Sequence, residues 1–318
     1  MPRARAASVA VYVCLGTSYA IVPWRLEPYD RGLHVRRLGD PSDFLAETAP
    51  LLLADEARHN LMLGIAGMLD RRPGVYREHH FWIAEEAGKP VAAALQTPPF
   101  NLIVSQPQFE GALAALADSL ATDGTSLPGV TGSIPEVEDF ALAWEARTGS
   151  ARSIRMRQRI YRATKIGPVA EVPGRARAAT AVDRALLVSW VRAFVEETLG
   201  EPSVRSPEET VDARLDDTLS GFVLWEDAEP VSLAGWGGLT PSGVRIGPVY
   251  TPPERRRRGY ASALTAAVSA EQLGRGRRFC FLYTDLENPT SNRIYTAVGY
   301  EPVCDSIDYA FEPARGRA

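Results

Sequence analysis

The order of elements in this sequence is written twice, and that duplication limits the folds open to it more than any other feature. In the first half, a short strand at residues 33–38 leads through Asp40-Pro41-Ser42-Asp43, a helix cap, into a helix beginning near Phe44. In the second, a strand at residues 175–180 passes Ala181-Val182-Asp183 into a helix reaching Leu199. Each opening is followed by three strands, at residues 81–84, 91–96 and 101–105 and again at 221–226, 231–239 and 244–251. A helix and a further strand then close each series: residues 109–121 and 127–130, then 260–274 and 279–284. Identity between the halves is slight, so the layout carries the argument.

Length agrees with two α/β units, because 318 residues exceed one comfortable core. The expected division is an N-terminal extension at 1–32, a first domain at 33–168 and a second at 174–318, with Gly167-Pro168 and Pro173-Gly174 breaking regular structure at the junction. Hydrophobic residues make up 45% and charged residues 23%, the balance of a soluble globular chain. The net charge of −4 is dispersed, which predicts neither a nucleic-acid partner nor a membrane partner. Nearly all the basic residues are arginine, Lys89 and Lys165 being the only lysines, so a single arginine is weak evidence of a site.

Cys14, Cys280 and Cys304 are odd in number and form no C-x-x-C pair, which predicts neither a disulfide framework nor a metal site. Reduced thiols fit a cytoplasmic protein. Arg3 and Arg5 ahead of an apolar stretch at 6–20 resemble a signal peptide, but an extension, or a start codon placed too early, agrees better with a first strand at residue 33. The stretch is also shorter than the ~20 apolar residues a membrane span needs. His79-His80 suggests a metal pair only at first sight, because adjacent strand residues point to opposite faces.

The chemistry gathers in the second half. Gly247-Pro248 interrupts an apolar strand, and proline cannot donate to a ladder, so a bulge or splay is expected there. Val249, Tyr250 and Thr251 beside it then offer unpaired backbone groups to an extended ligand. Next come Glu254 and four arginines, Arg255 to Arg258, followed by Gly259-Tyr260-Ala261-Ser262 where helical periodicity starts. The first-turn amides of such a helix are free and sit at its positive end, which suits a pyrophosphate. Gly259 allows close approach, small Ala261 and Ser262 leave room, and Arg256, Arg257 and Arg258 add charge-assisted donors. An isolated arginine run reads as a solvated face; its place between a broken strand and a helix start makes it an anion site.

A third element follows the strand at 279–284, where Asp285-Leu286-Glu287-Asn288-Pro289 opens a short helix through Ser291 and Tyr295, closed by Gly299. Tyr295 lies about two turns beyond Asn288 and points back to the same crevice, where a phenol can protonate a leaving thiolate or simply pack the helix.

These residues resemble the GNAT superfamily of N-acetyltransferases from about residue 175 onward. Its pyrophosphate signature matches Arg256, Gly259 and Ala261, and its later signature matches Asn288, Ser291, Tyr295 and Gly299-Tyr300. Arg257 departs from the pattern, in a place where glycine is common. The resemblance implies two GNAT-like units, each a mixed, splayed central sheet flanked by helices, with acetyl-CoA between the parted strands of the second. It implies direct attack by an amine, of a small molecule or a protein, on the thioester, with Tyr295 as general acid. It supplies no base: Asp285, Glu254 or a water chain must serve. The first unit is similar to the degenerate half of tandem GNAT proteins, reading Gln106-Pro107-Gln108-Phe109-Glu110-Gly111 where an arginine–glycine signature would stand. A longer acyl donor, a non-catalytic acyl-CoA-binding module and, on charge alone, a nucleic-acid binder at Arg255 to Arg258 are the alternatives. Oligomeric state is not encoded in any motif.

Overall fold

The structure, a computed structural model, describes residues 32–199 and 205–312; the apolar stretch at 6–20 with Cys14, and residues 200–204 of the loop after the helix ending at Leu199, lie outside the described residues. The first unit runs β1 (Leu33–Leu38), α1 (Pro41–Leu52), α2 (Asn60–Arg71), β2 (His80–Glu86), β3 (Lys89–Gln96), β4 (Leu102–Val104), α3 (Ala112–Thr122), β5 (Gly129–Ser133), α4 (Glu136–Thr148) and β6 (Ala151–Ala163). The second repeats it as β7 (Arg175–Ala178), α5 (Arg184–Leu199), α6 (Pro207–Leu215), β8 (Gly221–Asp227), β9 (Glu229–Gly237), β10 (Gly243–Tyr250), α7 (Tyr260–Gly274), β11 (Phe279–Asp285), α8 (Pro289–Val298) and β12 (Glu301–Glu312).

Local chemistry sets both openings. Asp40 caps α1 by accepting from the Ser42 and Asp43 amides at 2.7 and 3.2 Å, with Pro41 in the first turn. In the second unit Thr180 and Asp183 form a capping box, and Arg177 holds the Asp183 carboxylate with two bonds at 2.8 and 2.9 Å. Those bonds hold the Asp183 carboxyl at about 2, below its usual range.

The units share one mixed sheet of 12 strands, in the order β1-β2-β3-β4-β5-β12-β6-β11-β10-β9-β8-β7. The closing strands are exchanged: β6 lies against β11 of the second unit, and β12 against β5 of the first. Between them β6 and β12 form an antiparallel ladder from Glu301↔Arg162 to Glu312↔Ala151. Polar contacts fix the exchange. The Asn101 amide of the first unit donates to Asp308 and to the Tyr309 carbonyl on β12, and Thr131 donates to Asp308 at 3.2 Å. Arg159 on β6 grips Asp305 on β12 at 2.6 and 3.1 Å.

Helices cover both faces of each half-sheet. In the first unit, α1 and α2 bury Phe44, Leu52, Met62 and Leu69 against Phe81 and Ile83, while α3 and α4 bury Leu116, Leu120 and Phe140 on the other face. In the second, α7 and α8 cover the face carrying Val244, Ile246 and Leu282, and α5 and α6 the face carrying Phe222, Leu224 and Leu233. Each fully buried large side chain contributes roughly 1.5–3 kcal/mol of transfer free energy, so both faces are held by packing.

A candidate acyl-donor cleft between beta10 and beta11

The parallel strands β10 and β11 pair only from Gly243↔Phe279 to Arg245↔Phe281 and then part. On its other side β10 slips register against β9 between Ile246 and Val249, where Pro248 has no amide to give the ladder. The splay expected from Gly247-Pro248 is therefore present, and Val249 and Tyr250 line it while still paired to Ala234 and Leu233 of β9. Tyr250 turns its buried ring toward α5, with its hydroxyl 3.5 Å from Glu197, and Thr251 shares a hydrogen bond with Ser232 at 2.8 Å.

Behind the splay, Gly259 is the N-cap of α7 at φ +85°, and the first intrahelical bond runs from the Ala263 amide to the Gly259 carbonyl. The amides of Tyr260, Ala261 and Ser262 precede that bond, and no side chain caps them. An anion-binding helix start is thus built from backbone, with room that only glycine leaves: a Cβ on Gly259 would lie 2.8 Å from Val172. Val172 belongs to the segment joining the units, which also packs Ile166 and Val169 against the core beside Ile294 and Tyr295.

The arginines divide their tasks. Arg256 donates to the Thr251 carbonyl at 2.8 Å and to Glu197 at 2.6 Å, fastening the loop to α5. Arg255 pairs with Glu229. Arg257 takes φ +62°, the left-handed conformation that favours glycine, and its side chain is exposed, the condition under which an arginine is tolerated there. Arg258 is exposed beside Tyr260, whose own side chain is buried with its hydroxyl on Asp227 at 2.5 Å. Tyr260 therefore offers the cleft its amide and not its phenol.

Across the cleft, Asn288 caps α8 by accepting from the Ser291 amide at 3.0 Å. Asn292, which the sequence places in the opening of this helix without a site role, ties α8 to the end of β11 through the Asp285 carbonyl at 3.0 Å and accepts from Tyr161 at 3.1 Å. Tyr295 lies edge-on to Tyr300 with ring centroids 6.1 Å apart. Burial pushes its phenol up to about 12, so it keeps its proton throughout the neutral range. The Asp285 carboxylate is exposed and accepts from the Glu287 amide at 2.8 Å, shaping the turn before α8.

The matching opening in the first unit is plugged. Strands β4 and β5 pair at Leu102↔Val130 and Ile103↔Thr131, and beyond them the Gln106 amide donates to Nε2 of His59 at 3.0 Å. The His59 Nδ1–H donates to the Leu52 carbonyl at 2.9 Å. A cavity of about 20 Å³ remains beside Arg58, His59, Ser133 and Tyr283, the volume of a single water. Histidines 79 and 80 face apart, against Phe81 and Trp82 respectively. Among the described residues no group of three His, Cys, Asp or Glu side chains is placed to hold a metal, and no helix is long and apolar enough to cross a membrane.

Comparison with known proteins agrees with this geometry. The family model described as FR47-like protein matches residues 222–307, from β8 into β12. Among solved structures, a GCN5-related N-acetyltransferase from Sphaerobacter thermophilus superposes with a TM-score of 0.60 at 20% identity, over 90% of this chain and 96% of its own. A tandem GNAT protein from the clavulanic acid biosynthesis pathway gives 0.55 at 14% identity, over 90% and 100%. An acetyltransferase of the GNAT family from Colwellia psychrerythraea gives 0.54 at 12%, over 88% and 100%. No curated protein matches the sequence. The chain has the GNAT fold in its tandem form, a mixed sheet flanked by helices and splayed in each half.

Proposed function

We propose that the second unit transfers an acetyl group from acetyl-CoA to an amine. The observation that carries this reading is the conjunction of the β10–β11 splay with the uncapped first turn of α7: one site for an extended acyl chain, one for its pyrophosphate. The amides of Tyr260 to Ser262 and the nearby Arg257 and Arg258 fit the pyrophosphate, and the backbone of Val249 to Thr251 fits the pantetheine arm. The amine nitrogen attacks the thioester carbonyl carbon, the carbon–sulfur bond breaks, and the sulfur takes a proton from Tyr295 while the nitrogen loses one to a base or to water. Asp285 and Glu254 remain the candidate bases. The acetyl amide and free CoA leave.

Calorimetry of the intact chain tests this directly. Acetyl-CoA binding that Gly259→Glu abolishes supports the donor site, whereas no binding by the unsubstituted protein sinks it. A second reading, a non-catalytic acyl-CoA-binding module, is favoured by one observation: Asp285, the candidate base on β11, is spent on the turn to Glu287. It gains if acetyl-CoA binds and thiol release stays at background across an amine panel.

A further inference from the structure

The face of the second half-sheet opposite α7 carries two arginines that no carboxylate among the described residues neutralises by a hydrogen bond. Arg214 reaches from α6 across β8 and β9, its guanidinium 5.0 Å from the Phe222 ring, and donates to the Gly247 carbonyl at 2.9 Å. Gly235 makes this path: a Cβ there would lie 2.1 Å from the Arg214 Nη1 and 2.7 Å from the Gly247 carbonyl oxygen. The tip of Arg214 therefore sits at the bulge where the cleft opens. Arg245 lies two residues back on the same face of β10, its guanidinium over Tyr283 at 5.9 Å and against Gly238, where a Cβ would come within 2.6 Å of its Nη2.

The first unit closes the other side. Asn60 of α2 donates to the Tyr283 hydroxyl at 3.1 Å, and a Cβ on Gly64 would lie 3.2 Å from the Gly238 carbonyl oxygen. Arg72 at the end of α2 pairs with Asp217, which is also engaged with Ser220 and the Leu219 amide. Asp217 therefore reaches Arg214 through its charge and not through a hydrogen bond, and Arg214 also faces the charge of Arg245. Arg214 also borders a cavity of about 260 Å³, but Asp217 and, from the end of α7, Glu271 and Arg275 line it too and Arg245 does not, so the arginine pair and not this cavity marks the place. Burial and the Arg245 charge bring the Arg214 guanidinium down to about 10, as expected of a cation short of a counter-ion.

Two cations without a hydrogen-bonded carboxylate at the bulge of β10 suit an anion, and with the pyrophosphate assigned to the start of α7, the face opposite α7 is the one left for an acceptor. We infer that Arg214 and Arg245 bind an anionic group of the acceptor, so that the substrate is an amine bearing a carboxylate or a phosphate. The inference rests on the acyl-transfer reading and narrows it to acidic amines. Arg214 positions the bulge as well as the acceptor, whereas the Arg245 guanidinium makes no hydrogen bond among the described residues and isolates the anion contact.

The test pairs each acceptor with its uncharged counterpart: amino acids against the amines left by removing their carboxylates, and 2-aminoethyl phosphate against ethanolamine. Thiol release is followed on the full chain, with acetyl-CoA binding measured separately. The acidic member of at least one series should be preferred in kcat/KM by about 10- to 100-fold, the usual worth of a charge-assisted contact. Arg245→Gln should erase that preference through KM, leave acetyl-CoA affinity within about 2-fold, and be partly rescued by Arg245→Lys. The carboxylate and phosphate series tell which anion is held. Equal turnover of neutral and acidic amines overturns the inference, as does a preference that survives Arg245→Gln. So does a protein that binds acetyl-CoA and acetylates no acidic amine. Absence of acetyl-CoA binding, in contrast, overturns the acyl-transfer reading itself.

Discussion

Replacing His59 should cost far more than a partly polar residue at the edge of a helix ordinarily does. Its ring is 5% exposed and both nitrogens are committed, Nδ1–H to the Leu52 carbonyl and Nε2 to the Gln106 amide. In His59→Ala each of those backbone groups loses its partner, at about 1–3 kcal/mol apiece, and the ring's volume adds to an existing void. We expect a loss of about 3–5 kcal/mol, read by urea unfolding. The same geometry sets a pH dependence. Burial lowers the His59 pKa from 6.5, and the charged ring would have to abandon the Gln106 amide, since both nitrogens would then donate. The unfolded chain therefore binds the proton more readily, and stability rises with pH in this window. The contribution is fully present above pH 6.5 and is lost as the pH falls from there through the depressed folded-state pKa. Subtracting the pH profile of His59→Gln from that of the unsubstituted protein isolates it, with a slope of up to about 1.4 kcal/mol per pH unit. Coincident profiles between pH 4.5 and 7, roughly the span of such a titration, would refute the argument. A loss below about 1 kcal/mol in His59→Ala would refute the plug.

Other outcomes follow from the donor cleft and the exchange. Gly259→Ala must hold φ +85° and displace Val172, so it should destabilise by about 1–2 kcal/mol and weaken acetyl-CoA binding, as calorimetry will show. Tyr295→Phe should lower kcat by about 10²-fold with acetyl-CoA affinity nearly unchanged; an unaltered kcat removes the phenol from the chemistry. With its pKa raised to about 12, Tyr295 should also impose no alkaline fall in rate below about pH 10. A double-mutant cycle on Asn101→Ala and Asp308→Ala should show coupling of about 1–3 kcal/mol in unfolding free energy, although these residues belong to different halves; additivity would mean the contact does not hold β12 in place.

Much of this architecture is legible in sequence because its punctuation is local. Asp40, Thr180 with Asp183, Gly259 and Asn288 stop or start elements by bonding within a few residues, so the openings and the donor cleft can be read without a partner strand. The closing strands cannot. Strand β6 alternates Arg155, Arg157 and Arg159 with Ile154, Met156, Gln158 and Ile160, a pattern that marks a strand but not its partners, and it runs through the middle of the sheet. Its place is set by Asp305 and by β11, more than 100 residues away. The acceptor face is hidden for the same reason. Arg214, Arg245, Tyr283 and Asn60 come from four elements in two units, and in an arginine-rich chain no spacing sets the first two apart. Glu197, which holds Arg256, belongs with them.

The traded closing strands make the two halves depend on each other in a way no linker could. Neither half contains the strand that completes its own sheet, so a chain severed between residues 164 and 174 would yield two pieces that remain clasped, each lending the other an edge. Expressed separately, each piece would expose an open strand edge and be prone to self-association. Expressed together, they would reconstitute a split protein whose activity reports their encounter. The first unit is in this sense a subunit that has lost the freedom to leave.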